Sequence, residues 1–145
     1  MNTARVSVQI EGVRTSVSRA RLAAAVAAVL RAERAGPALV SVTLVTRRRI
    51  AAMNRRHLGH AGPTDVISFA FNDPAGAEIG DVYVSPEVAA ENARRFGRPV
   101  REELVRLVVH GTLHVLGHDH PVDAAREGSP MWRRQEALVR RVLAR

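Results

Sequence analysis

Apolar and polar residues alternate over Val6–Ile10 and again over Leu39–Val45, where Val40, Val42 and Leu44 are interleaved with Ser41 and Thr43. A two-residue period turns one face of a strand towards a core, so both segments are predicted strands. Between them the period changes. Leu22, Val26, Val29 and Leu30 fall on one stripe of a 3.6-residue repeat, which predicts a helix. Ser16 or Ser18 can cap it, and Gly36-Pro37 stops it after about Ala35. Arg47–His57 predicts a short basic helix, His60-Ala61-Gly62-Pro63 a loop, Asp65–Phe71 a strand, Asn72–Ala77 a turn and Ile79–Val84 a fourth strand. Ser85-Pro86-Glu87 is a helix start, with serine as N-cap and proline in the first turn, and that helix runs to about Phe96 before Gly97.

Arg101–Leu116 is the most apolar helical segment. Leu104, Val105, Leu107, Val108, Val109 and Val115 cover nearly its whole circumference, which predicts a buried central helix. Ser129-Pro130 opens a last helix, with Met131, Leu138, Val139 and Val142 facing inward and Arg133, Arg134, Arg140 and Arg141 mostly outward. The order βαβαββααα predicts an α+β (or α/β) fold, a single domain over residues 1–145 with a small four-stranded mixed sheet and packed helices.

Composition narrows this picture. The chain has 145 residues, 46% of them hydrophobic, enough for one packed core. It has no cysteine, so disulfides and thiolate metal sites are excluded, and any metal must sit on nitrogen and oxygen ligands. The amino terminus has no apolar signal core, and the longest apolar run, Leu22–Leu30, is too short to span a bilayer. The expectation is a cytoplasmic protein with no membrane partner.

The net charge is +8, and all 22 basic residues are arginine. A GC-rich genome would convert lysine codons to arginine without functional meaning. A polyanionic partner would also account for the excess, because non-specific affinity for nucleic acid comes largely from such charge. Aromatic residues are only 3%, namely Phe69, Phe71, Tyr83, Phe96 and Trp132, so base stacking is not expected to be the main binding device.

Four of the six histidines lie in HGTLHVLGHDH, residues 110–120. His110 and His114, four apart, share one helix face with Cβ atoms about 5–6 Å apart, a separation that lets two imidazoles close on one ion. Gly117 can end the helix with a positive φ, and the returning chain delivers His120 as a third ligand. A lone histidine on an apolar helix is ordinarily a hydrogen-bonded core residue; three at this spacing are hard to assign to packing. Three protein ligands with an open fourth position is the catalytic form of a zinc site.

The spacing equals that of the metzincin motif, H-E-x-x-H-x-x-G-x-x-H, giving a metalloprotease-like zinc helix and loop. One position differs: Gly111 stands where those proteases carry the glutamate that accepts the proton of the attacking water. Peptide hydrolysis by that route lacks its base. Phosphodiester cleavage depends less on such a group, because a metal and arginines stabilise charge on phosphoryl oxygens.

Three blocks, GPTDVISFAF (62–71), IGDVYVS (79–85) and HGTLHVLGHDH (110–120), occur in this order and together resemble the YbeY family of bacterial rRNA-maturation endoribonucleases. The likeness covers almost the whole chain. It implies a zinc-dependent, single-strand-type endoribonuclease acting in rRNA processing, namely 16S rRNA 3′-end maturation, and in ribosome quality control. The expected partners are rRNA and the ribosomal subunit or its assembly factors, with no DNA. One zinc ion on His110, His114 and His120 is implied. His118 falls where the family usually has tyrosine and is not counted as a ligand.

Asp119 reads either as a carboxylate that orients a histidine or as a turn cap. Thr64 and Asp65 either line the cleft or shape a strand start. Gly80 allows close backbone approach, and Asp81 faces the cleft or bonds backbone. The family's cleft arginine falls on Leu58, which cannot hold a phosphate, and His57 takes the family's tyrosine position. Arg55 and Arg56 are the candidate RNA contacts nearby. Two other readings stay open: a metalloprotease-like hydrolase, and a non-catalytic, metal-stabilised ribosome-assembly factor. No residue is assigned as general base.

Overall fold

The computed structural model describes residues 4–59, 64–120 and 127–144. The predicted loop at 60–63 therefore lies outside the described residues. Four strands and five helices follow in chain order: β1 Ala4–Ile10, α1 Arg19–Ala32, β2 Ala38–Leu44, α2 Arg47–Leu58, β3 Val66–Phe71, β4 Glu78–Val84, α3 Pro86–Phe96, α4 Val100–Val115 and α5 Pro130–Leu143. The strands form one mixed sheet in the order β1-β2-β4-β3. β1, β2 and β4 are parallel, in a register that aligns Val8, Val42 and Val82, and β3 runs antiparallel to β4 with Ser68 opposite Val82. The fold is α+β, as the order of periods predicts. Among the described residues no helix is long and apolar enough to cross a membrane.

The pleat divides the sheet. Val40, Val42, Leu44, Val82 and Val84 are fully buried and form one core with Leu22, Val26, Leu104 and Val108 of α1 and α4. On the other face Ile50 and Met53 of α2 pack with Ile67, Phe69 and Tyr83. A third cluster joins α4 to α5 through Val105, Val109, Leu113, Met131, Leu138 and Val139. α4 thus meets the sheet on one side and other helices around the rest, so it is apolar around most of its circumference.

Local signals set the helix ends. Ser18 is the N-cap of α1, its hydroxyl accepting from the Arg21 amide at 3.2 Å, which decides between the two candidate serines. The same helix stops at Ala32, not near Ala35. Arg34 takes a positive φ of 54°, and the Ala35 amide donates back to the Leu30 carbonyl at 2.9 Å. This closure absorbs the last carbonyls before Gly36-Pro37 is reached. Ser85 and Ser129 cap α3 and α5 with proline following each, as predicted.

α4 lies unusually close to the sheet. A Cβ on Gly80 would sit 2.5 Å from the Val115 side chain, and one on Gly111 would sit 2.5 Å from Val82 and 3.0 Å from the Ser68 hydroxyl. The two glycines, one on β4 and one on α4, let the helix and sheet backbones approach. Ser68 Oγ also donates to the Gly111 carbonyl at 3.1 Å.

Candidate metal centre

The buried helix α4 ends at the site. Its C-terminal closure uses Gly117 at φ 96°, with the Gly117 amide donating to the His114 carbonyl and the His118 amide to the Leu113 carbonyl, both at 3.0 Å. The positive φ that sequence spacing demanded of Gly117 turns the chain back over the last turn of the helix. His120 then stands beside His110 and His114. Ring centroids are 4.6 Å apart for His110 and His114, and 5.0 Å for each of them with His120. One nitrogen from each ring lies within 4.8 Å of the other two, and among the described residues these three form the group of histidines and carboxylates able to hold a metal ion. His110 is buried, while His114 and His120 are partly open to solvent. Three imidazoles with no thiolate and no fourth protein ligand among the described residues are a donor set that fits a borderline divalent cation.

The residues between His114 and His120 have other work. His118 turns from the cluster: its Nε2 lies 2.6 Å from Glu33 Oε1, and Arg134 Nε holds the second oxygen of the same carboxylate. Burial raises the Glu33 pKa, but the hydrogen bonds and charges of Arg134 and His118 outweigh it and hold the carboxyl below its ordinary range. The clamp ties the end of α1, the loop after α4 and α5 together. Asp119 Oδ1 accepts from the His120 amide at 2.8 Å, so it has the turn-capping role.

His110 is held from α5. Its Nδ1 lies 2.6 Å from Gln135 Oε1, and Gln135 is 2% exposed. The Gln135 amide nitrogen donates to Glu136 Oε2 at 3.0 Å, which fixes which end of the amide faces the ring. Glu136 in turn accepts a two-pronged pair from Arg106, at 2.8 and 2.9 Å, and Arg106 donates to Glu103 at 2.9 Å. Burial opposes the charge on Glu136, yet its bonds to Arg106 and Gln135 keep its pKa below the ordinary value; Arg106 is correspondingly pushed up. Sequence reading missed Gln135. The signal was there: it is the polar member of the inward stripe Met131, Gln135, Leu138, Val139 of α5.

A cavity of about 290 Å³ opens beside His110. Asp65, Arg95, Phe96, Arg98 and Trp132 line it together with Gln135. Asp65 is therefore at the cleft, its carboxylate held by Asn92 Nδ2 at 3.0 Å, and its backbone carbonyl also accepts from the Ser85 amide at 3.1 Å, so both readings of this residue hold. Arg98 lies over the half-exposed Phe96 ring at 5.5 Å. Arg55 and Arg56 are exposed in the last turn of α2 and are not among the described residues lining this cavity. Leu58 ends that helix half-exposed, and His57 stacks edge-on against Phe69 at 5.5 Å.

Asp81 is turned from the cleft, and among the described residues its partner is a side chain. It follows Gly80 and precedes Val82, both turned to α4, so the pleat points it to the opposite face, where Ser41 Oγ donates to it at 2.6 Å. The position of Gly111 also carries a chemical consequence. It is packed against β4, so no side chain fits where the metzincin base would stand.

Comparison with known proteins agrees with this geometry. A family model described as Endoribonuclease YbeY matches residues 7–143. An Endoribonuclease YbeY from an Anaeromyxobacter species is 44% identical over 126 residues, covering 84% of this chain and 62% of that protein. Another, from Micrococcus luteus, is 42% identical over 113 residues, covering 72% of this chain and 71% of the relative. The chain thus spans less than two thirds of the length of the first of these relatives. The solution structure of TM1509 from Thermotoga maritima superposes with a TM-score of 0.64 at 28% identity, covering 97% of this chain and 90% of that one. With three imidazoles converging at the end of α4 and a family match across nearly all its length, this chain belongs to the Endoribonuclease YbeY family.

Proposed function

We propose that this protein is a zinc-dependent endoribonuclease of the cytoplasm, acting on single-stranded segments of rRNA in 16S 3′-end maturation and ribosome quality control. The observation that carries the proposal is the convergence of His110, His114 and His120 in a member of a family named for endoribonuclease activity. Zinc is the metal that this all-imidazole, cysteine-free set suits among those commonly available. When bound, the ion supplies Lewis acidity and activation of water.

The chain's own residues do the rest. His110, His114 and His120 hold the ion. Arg95 and Arg98, on the wall of the adjoining cavity, are placed to draw a phosphodiester backbone to the centre. Arg55 and Arg56 add exposed positive charge near the end of α2 and are proposed as further RNA contacts. Ribosomal subunits and their assembly factors are the proposed partners. The packed Gly111 disfavours a peptidase acting through the usual base.

The test is elemental analysis of purified protein, with cleavage of structured rRNA assayed with and without a chelator. One equivalent of zinc and chelator-sensitive cleavage are expected. Stoichiometric metal without cleavage would favour the non-catalytic assembly factor, a reading that the half-exposed Leu58 in place of an arginine keeps specific. Cleavage of peptide but not RNA would favour the hydrolase reading.

A further inference from the structure

We propose that Gln135 is a positioning residue of the metal centre: its carbonyl fixes the tautomer and rotation of His110, so that the Nε2 lone pair is the one presented to the cation. The proposal rests on reading the three-histidine cluster as a metal site.

Free imidazole carries its proton on either ring nitrogen, and which nitrogen binds a metal is set by what the other one meets. Here the partner's chemistry is unambiguous. Gln135 Nε2 donates to Glu136 Oε2 at 3.0 Å, and a carboxylate oxygen only accepts. The atom left 2.6 Å from His110 Nδ1 is therefore the amide oxygen, also only an acceptor. In the neutral ring, Nδ1 must therefore carry the proton and Nε2 the lone pair.

The support behind Gln135 is rigid. Glu136 is gripped by both prongs of Arg106, at 2.8 and 2.9 Å, and Arg106 is further held by Glu103 at 2.9 Å. The chain of bonds runs from the interface of α4 and α5 to the most buried of the three rings. Burying an amide on the apolar stripe of α5 costs free energy unless its bonds are made. A leucine would fill the space without that requirement, so packing alone does not call for glutamine. Removing the acceptor lets His110 place its proton on Nε2 and turn its ring, and metal binding must then reverse both.

The experiment compares wild type with Gln135→Leu and, as a second apolar replacement with a different shape, Gln135→Met. In metal-free protein above pH 8, ¹⁵N–¹H spectra of the imidazoles should show His110 as the Nδ1–H form in wild type and a shift towards Nε2–H in the variants. Zinc affinity, measured by competition with a chromophoric chelator, should weaken by about 10–100-fold, the usual cost of losing a partner behind a ligand. Circular dichroism melts of the metal-free variants check that they fold. A merely structural glutamine would alter the melts and leave the tautomer alone. An Nε2–H His110 in wild type overturns the proposal without any variant. Zinc uptake undiminished in both variants overturns the role of Gln135 only, whereas wild-type protein that takes up no zinc refutes the metal reading beneath it.

Discussion

Gly111 sits between two of the converging histidines and has no side chain, and the reason is steric. Its Cα faces β4 so closely that a Cβ would meet Val82 at 2.5 Å and the Ser68 hydroxyl at 3.0 Å. Gly111→Ala should therefore destabilise the protein by about 1–3 kcal/mol through overpacking, read as a lowered denaturant midpoint, and Gly111→Glu should cost more and confer no peptidase activity. A Gly111→Ala protein as stable as wild type would mean that the helix stands further from the sheet. The proposed ligands make the complementary case. His114 is only partly buried, so its loss leaves little cavity and acts mainly through metal. His114→Ala should abolish stoichiometric zinc and with it the stabilisation that binding supplies, about 4 kcal/mol at a metal concentration a thousand times Kd. Melts with and without chelator should then coincide for the variant and differ for wild type; equal metal content in both would remove His114 from the site.

Between elements, two carboxylates fasten α5 to the body of the fold. Glu33 joins α1 to His118 and Arg134, and Glu136 joins α5 to Arg106 on α4. Each has its pKa below the ordinary value of 4.5. A carboxylate so depressed stabilises fully above its unfolded pKa, and that contribution disappears as pH falls through the folded value. Thermal melts should therefore be flat in this respect near neutrality and decline below about pH 4.5, and Glu136→Gln should shrink the decline while lowering stability at pH 7 by about 2 kcal/mol, less than the usual cost of breaking a buried pair because Glu136 is partly exposed and Arg106 keeps Glu103. An undiminished acid decline in that variant would assign the effect to other groups. These clamps were the part of the site that the sequence hid. Periods and caps located the helices, since Ser85-Pro86, Ser129-Pro130 and Gly117 act through neighbours in the chain. The convergence of His110, His114 and His120 was legible for the same reason, being set by one helix and one turn. Glu33 and His118 are 85 residues apart, Gln135 and His110 25, and such pairings arise only from packing. Asp81 was misread because the choice of strand face depends on which side α4 covers.

For the whole molecule, the +8 charge is the property on which the proposed capture of RNA would depend. Its all-arginine composition does not by itself distinguish codon bias from a nucleic-acid partner, but salt dependence does. Charge that merely decorates the surface gives weak attraction spread over the molecule, whereas arginines that meet phosphates release a countable number of ions. If Arg55, Arg56, Arg95 and Arg98 each neutralise one phosphate of a single strand, log affinity should fall against log salt with a slope of about −3, a loss of about 50-fold between 50 and 200 mM. The measurement belongs on metal-stripped protein, where binding is separated from cleavage. Replacing Arg95 and Arg98 by alanine should lower the slope by about 1.4, and replacing Arg55 and Arg56 should do the same only if the strand extends from the cavity to the end of α2. The two double variants thus map the path of the RNA as well as its existence. A slope near zero in wild type would leave the arginine excess to codon usage and remove the electrostatic support for an RNA substrate.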